Sequence, residues 1–141
     1  MKGDNMSIEA NKELLRREQE KFWGQGLESV AAEVFAPQVT EGDGRVLTRD
    51  DLIAVQRMQR AAGPDLRVRV LDMLGEGDRV VARIEVAATH LGEWQGIPAT
   101  GKRFTTSGMV MRRIANGKIV ERWDNIDFLS VMQQIGVMPG G

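Results

Sequence analysis

Asp127 is the carboxylate whose neighbours best prepare it for chemistry. It follows the run Ala115-Asn116-Gly117-Lys118-Ile119-Val120-Glu121-Arg122-Trp123-Asp124-Asn125-Ile126 and precedes the apolar stretch Phe128-Leu129-Ser130-Val131. A tight turn, a strand and a helix entrance in that order fix Asp127 where a strand leaves its sheet, at the mouth of a pocket. A carboxylate among apolar groups has its charged form disfavoured, which raises its pKa toward the working pH. It can then take a proton from a carbon beside a carbonyl and return it elsewhere. The same position suits a helix N-cap, since aspartate is among the residues preferred there. The two roles are compatible.

Two further groups could support such chemistry. His90 is the chain's single histidine. It closes the apolar side of a strand, where it could donate a hydrogen bond to a substrate carbonyl or simply be satisfied by backbone. Glu41 is a second acid or a partner for His90, against the simpler reading of a surface glutamate in a turn. Strict alternation places Ile119, Glu121, Trp123, Asn125 and Asp127 on one side of their strand and sends Asp124 to the other, as a solvated charge or a partner for Arg122 on a neighbouring molecule. A bulge would reverse that assignment.

The elements that must position these groups follow from the change of hydrophobic period. Ser7 to Phe35 reads as two helices joined at Gly24-Gln25-Gly26, with Leu14, Leu15, Phe22 and Trp23 and then Val30, Ala31 and Val34 at helical spacing. Pro37 ends that run, and Gln38 to Gly44 is short extended chain passing into a turn. Thr48-Arg49-Asp50-Asp51 resembles a capping box opening a helix that Gly63-Pro64 stops. Beyond it the pattern alternates: Leu66, Val68 and Val70 oppose Arg67 and Arg69, and Val80, Ala82, Ile84, Val86 and Ala88 oppose Arg83 and Glu85. A third strand runs from about Arg103 to Ile114, and Asn116-Gly117 turns it back into a fourth, Lys118 to Ile126. Phe128 to Ile135 closes as a short helix, and Met138 to Gly141 reads as a frayed tail. The result is an α+β domain over 1–141, a curved antiparallel sheet packed on N-terminal helices.

Composition narrows the function classes. With 28% charged residues and a formal net charge of -1, the chain lacks the positive balance that a protein neutralising phosphates would need, which argues against a nucleic-acid partner. No segment approaches the roughly 18 consecutive apolar residues of a membrane span, and Met1 to Asn5 lacks a secretory stretch. The expectation is a cytoplasmic protein with no membrane partner. Zero cysteines exclude thiolate catalysis, and one histidine leaves little scope for a metal centre, so metal-free, cofactor-free chemistry is favoured.

Several stretches together carry a family resemblance. They are Phe22-Trp23-Gly24-Gln25-Gly26, Phe35-Ala36-Pro37, Pro64-Asp65-Leu66, Gly75-Glu76-Gly77-Asp78-Arg79-Val80-Val81-Ala82-Arg83, the loop His90 to Lys102, and Gly117-Lys118-Ile119-Val120-Glu121 leading to Trp123 and Asp127. In order and spacing the chain resembles the SnoaL-like polyketide cyclases of the nuclear transport factor 2-like, cystatin-like superfamily. The resemblance implies a cone-shaped α+β barrel, commonly a homodimer through the sheet, with a pocket between sheet and helices. It also implies ring closure by intramolecular aldol chemistry without metal or cofactor, an aspartate at the Asp127 position serving as acid/base. The chain departs from the common pattern at Val39-Thr40-Glu41, where relatives often carry a histidine, and at Pro98-Ala99-Thr100-Gly101.

On this reading the partner is a small hydrophobic carbonyl compound. Asp127, His90 and Glu41 are the chemical groups, and Trp23, Gln56, Trp94, Phe104 and Trp123 the ligand-contacting residues. Trp94, on a glycine-rich loop, is the better lid. Trp23 on its amphipathic helix serves equally as core, and Gln56 equally as a solvent-facing residue. The alternative is a non-catalytic ligand-binding or dimerisation module of the same fold. Epoxide hydrolysis would need two carboxylates bridged by an arginine in the pocket; Asp124, Asp127 and Arg112 are available, but alternation does not bring them together.

Overall fold

Helix α1 spans Ser7–Arg17 in the computed structural model, which describes residues 7–139. The chain start discussed above, and Gly140 and Gly141 of the expected tail, lie outside the described residues. The helix runs directly into a π-helical turn, Glu18–Trp23, in which Glu18, Gln19, Phe22 and Trp23 are all buried. The wider turn lets consecutive residues share the inward side, a geometry that recurs at functional sites. After the Gly24-Gln25-Gly26 break comes a short α2, Val30–Val34. Phe35 is therefore not the last residue of the second helix: it opens strand β1, Phe35–Glu41.

Strand β2 covers Val46–Thr48 and delivers the chain to α3, Arg49–Ala62. The predicted capping box is present: Asp51 N–H donates to Thr48 Oγ1 at 3.1 Å, and Thr48 N–H donates to Asp51 Oδ2 at 2.9 Å. Strands β3 (Arg67–Glu76), β4 (Arg79–Thr89), β5 (Arg103–Ala115) and β6 (Lys118–Ile126) follow, and α4 (Phe128–Gln134) ends the fold. Asn116 and Gly117 take φ of 53° and 75° at the β5–β6 turn, the left-handed pair that a two-residue hairpin of this twist requires.

The meander expected from alternation is part of a larger sheet with the order β2-β1-β6-β5-β4-β3. β1 joins it parallel to β6, so the sheet is not wholly antiparallel. Pro37 tolerates this because the β1–β6 register shifts between Phe35 and Thr40, so its missing N–H interrupts no ladder there. The sheet curves without closing and packs its concave side on the N-terminal helices. Leu15, Phe22, Val34, Phe35, Val39, Leu52, Val80, Ala82, Ile84, Val110, Ile114 and Ile119 form the core between them, each large side chain contributing about 1.5–3 kcal/mol by burial.

Candidate active site

Beyond that core, between the lower half of the sheet, α3 and α4, lies a cavity of about 630 Å³. Its wall is largely apolar: Leu66 and Val68 precede or lie on β3, Ile84, Val86 and Ala88 belong to β4, Phe104 and Val110 to β5, and Val131 to α4. The alternation of β4 continues past its end to His90, which lines the cavity with Trp94 of the following loop. That loop is tied at its base by His90 N–H to Lys102 O at 2.9 Å and Gly101 N–H to His90 O at 2.8 Å. It is tied to the end of α3 by Leu91 and Gly92 N–H donating to Ala62 O. Trp94 rests on Phe128 with ring centroids 5.7 Å apart.

A bulge decides which carboxylate enters the cavity. Arg113 pairs with Glu121, but the next pair is Ile114 with Ile119, so Val120 is the extra residue and the side-chain phase reverses across it. Ile119 faces the core, and beyond the bulge Arg122, Asp124 and Ile126 line the cavity. Asp124, assigned to the outer face by strict alternation, lines the cavity, with its side chain 29% exposed. Trp123 is on the other side, under the Arg79 guanidinium at 5.3 Å from its ring centroid, and does not line the cavity.

Asp124 stands in a chain of alternating charges. Arg112 is wholly buried; its Nε and Nη2 donate to Glu18 at 2.9 and 2.8 Å, and its Nη1 donates to Asp124 Oδ1 at 2.6 Å. Trp23 Nε1 also donates to Glu18, at 2.9 Å. On the other flank Arg122 Nη2 donates to Asp124 Oδ2 at 3.1 Å, and its Nε lies 3.2 Å from Glu41. Burial pushes Asp124 up, but Arg112 and then Arg122 outweigh it and hold the carboxyl below the usual aspartate range. Burial disfavours the Arg112 charge, yet Asp124 and Glu18 raise its pKa. Burial pushes Glu41 above the usual glutamate range; Arg122 offsets this in part and Asp124 adds to it. Adjacent carboxylates with opposite tendencies are the arrangement that separates acid from base.

The predicted site residues therefore divide. His90, Trp23, Trp94 and Phe104 line the cavity. Glu41 lies behind Arg122 in a smaller hollow of about 410 Å³ that Trp123 also borders. It forms an ion pair with Arg122, Oε2 lying 3.2 Å from Nε, while His90 Nδ1 is held by Thr100 Oγ1 at 3.0 Å, so these two do not partner each other. Gln56 is neither solvent-facing nor in the cavity wall: it is buried. Asp127 is the N-cap of α4, its Oδ1 accepting from Ser130 N–H at 3.0 Å, and it is exposed. Of the groups assembled here, sequence reasoning sends Asp124 to the outer face, names Arg122 only as its partner on a neighbouring molecule and Arg112 only for epoxide hydrolysis, and does not single out Glu18. Among the described residues, no group of three or more histidine, cysteine, aspartate or glutamate side chains could hold a metal ion. No helix among them is long and apolar enough to cross a membrane.

Comparison with known proteins places the chain. The family model described as SnoaL-like polyketide cyclase matches residues 13–135. Aklanonic acid methyl ester cyclase DnrD of Streptomyces peucetius is 30% identical over 83 residues, 59% of this chain and 57% of that protein. The cyclase DauD of Streptomyces sp. strain C5, of the same description, is 30% identical over 83 residues, 59% of this chain and 52% of its own. The match thus spans about half the length of these curated relatives. Among solved structures, AclR of Streptomyces galilaeus, provisionally described as a hydroxylase, aligns with a TM-score of 0.79 at 27% identity, covering 95% of this chain and 85% of that one. IdmH of Streptomyces antibioticus aligns at 0.76 and 26%, covering 91% and 99%.

Proposed function

The chain belongs to the SnoaL-like polyketide cyclase family, and from that premise we propose that it closes a ring in a hydrophobic, carbonyl-containing small molecule, without a cofactor, using Asp124 as general acid and base. The observation that carries the reading is the place of Asp124: a carboxylate in the wall of an apolar cavity whose volume, about 630 Å³, lies in the range of small-molecule sites. The sequence resemblance suggested Asp127 for this role; its carboxylate caps α4 and does not line the cavity, whereas that of Asp124 does, which makes Asp124 the better choice.

A base held below the usual carboxylate range is ionised at neutral pH and weak. It suits a carbon made acidic by two carbonyls, or by a carbonyl and an aromatic ring. Apolar walls hold such a molecule by desolvation, and Trp23 and Trp94 offer flat surfaces for a polycyclic frame. The names of DnrD and DauD, cyclases of a methyl ester, point to an ester, which is a carbonyl compound. Epoxide hydrolysis gains no support: Arg112 does bridge two carboxylates, but Glu18 is sealed behind it with no exposure and is absent from the cavity wall.

Aklanonic acid methyl ester is the first substrate to assay for ring closure. The general test is exchange of the acidic C–H of 2-tetralone in deuterated water, followed by NMR. The wild-type protein should accelerate exchange, and Asp124→Asn should reduce the acceleration by a hundredfold or more while leaving the fold intact. Binding of the ketone without acceleration would favour the non-catalytic ligand-binding module instead.

A further inference from the structure

We infer that Gln19 is a specificity-determining residue of this cavity: its side-chain amide hydrogen-bonds an oxygen substituent of the ligand, a carbonyl or a hydroxyl, and so fixes which edge of an otherwise apolar frame is presented to Asp124. The inference rests on the reading of the cavity given above, and its test separates the two.

Gln19 enters the wall from the π-helical turn. In a regular α-helix one face is shared by residues three and four apart, whereas the wider turn brings Glu18 and Gln19 inward together. Glu18 faces Arg112, whose Nη2 donates to it at 2.8 Å and whose Nη1 donates to Asp124. Gln19 lines the cavity, so the residue next to the anchor of the base is the one that meets the ligand. The backbone there is fixed. Gly24 N–H donates to Gln19 O, and a Cβ on Gly24 would lie 3.0 Å from Val68 N, so glycine is what lets the turn rest on β3.

Gln19 is 3% exposed, and its amide makes no hydrogen bond among the described residues. The buried side-chain atoms that lack a partner and are also sealed are Glu41 Oε2, Gln56 Nε2, His90 Nε2 and Arg122 Nη1. Gln19 Oε1 and Nε2 lack a partner without being sealed, so the amide opens onto the cavity. The other polar groups of the wall are engaged or lie outside its depth. Thr106 Oγ1 donates to Asp127 O at 2.9 Å, His90 Nδ1 is held by Thr100, and Arg122 donates to Asp124; Gln59, Glu93 and Gln95 are exposed. A buried polar group without a partner is rare enough to call for one. A ligand oxygen against Gln19 supplies it, and because the amide carries both N–H donors and an acceptor oxygen, a ketone and a phenol fit alike. An apolar ligand of the same shape leaves the amide unpaired and cut off from water, which is what makes such a group discriminate.

The test compares 2-naphthol with naphthalene, the same frame without the oxygen, by equilibrium dialysis against wild type, Gln19→Met and Asp124→Asn. Methionine keeps the length of the side chain and removes its polar atoms. Gln19→Met should lose about fivefold or more of the affinity for 2-naphthol relative to naphthalene, with naphthalene bound at least as well as by wild type. Its Tm should equal or exceed that of wild type, because no hydrogen bond within the protein is removed; a structural amide would give the opposite sign. Asp124→Asn should keep most of the wild-type ratio. An unchanged ratio in Gln19→Met, a ratio lost in Asp124→Asn instead, or a lowered Tm would overturn the inference. Should the Met variant not fold, Gln19→Leu supplies the same comparison, and failure of both to fold would show that the amide serves the fold. A ratio lost in Gln19→Met with 2-tetralone exchange kept in Asp124→Asn would reject the base and leave Gln19 in its role, whereas exchange lost in Asp124→Asn with an unchanged Gln19→Met ratio would reject Gln19 alone. Wild type that binds neither probe would reject the cavity reading and this inference together.

Discussion

Arg112 Nη1 stands 2.6 Å from Asp124 Oδ1 across the β5–β6 pairing, while the rest of the same guanidinium grips Glu18 in full burial. Asp124 is held by a cation that solvent cannot reach, so its place is set by the core and not by the surface. Removing one member of a buried ion pair leaves the other uncompensated, at a cost of about 3–5 kcal/mol. Arg112→Leu should therefore be strongly destabilised in urea titration. A loss below about 1 kcal/mol would mean that the buried network contributes little to holding Asp124 in place.

Asp127 should behave as a cap. Its Oδ1 satisfies the Ser130 amide, and replacing an N-cap aspartate with alanine costs about 0.5–2 kcal/mol. Asp127→Ala should unfold earlier by that amount, with 2-tetralone exchange in the folded protein close to wild type.

The pH profile follows from the direction of the carboxyl shifts. Asp124 is held below the usual aspartate range, so the base stays ionised as pH falls through that range. Exchange should lose its acid limb only below it, and stability from the Asp124 pairs should be lost in the same window. Glu41 is pushed up, so its ionisation weighs against the fold as pH rises above the unfolded value. Thermal melts should show Glu41→Gln gaining on wild type between pH 4 and pH 7; a difference independent of pH would contradict the raised Glu41 pKa.

Gly92 anchors the Trp94 loop against the end of α3. A Cβ built there would lie 2.1 Å from Ala61 O, a backbone atom that cannot turn aside. Gly92→Ala should lower Tm by roughly 5 °C or more and alter tryptophan fluorescence as Trp94 leaves Phe128. An unchanged melt and spectrum would show that the loop is not seated as described.

Much of this arrangement is legible in local sequence. The Thr48–Asp51 box, the Asn116-Gly117 turn and the alternation of β4 each depend on residues a few positions apart, and each forms as read. The bulge at Val120 depends on pairing with another strand, and it reversed the face assigned to Asp124. One signal was present: Ile119 and Ile126 are both apolar but seven apart, so strict alternation cannot bury both. Arg112 gave another, lying between Val110 and Ile114 on the apolar side of β5, where a buried cation demands a counter-charge. That partner, Glu18, is 94 residues away and comes into reach only when the π turn and the sheet are assembled. The parallel β1–β6 pairing was hidden by Pro37, which reads as a terminator until the register shift around it is known.

The most direct measurement is the rate of 2-tetralone proton exchange in Asp124→Asn and Asp127→Asn side by side, each confirmed folded. Asparagine keeps the shape of both sites and the capping capacity of position 127, so the pair isolates the charge. The account predicts near-complete loss for Asp124→Asn and wild-type exchange for Asp127→Asn. Loss confined to Asp127→Asn, or wild-type exchange in both, would contradict it.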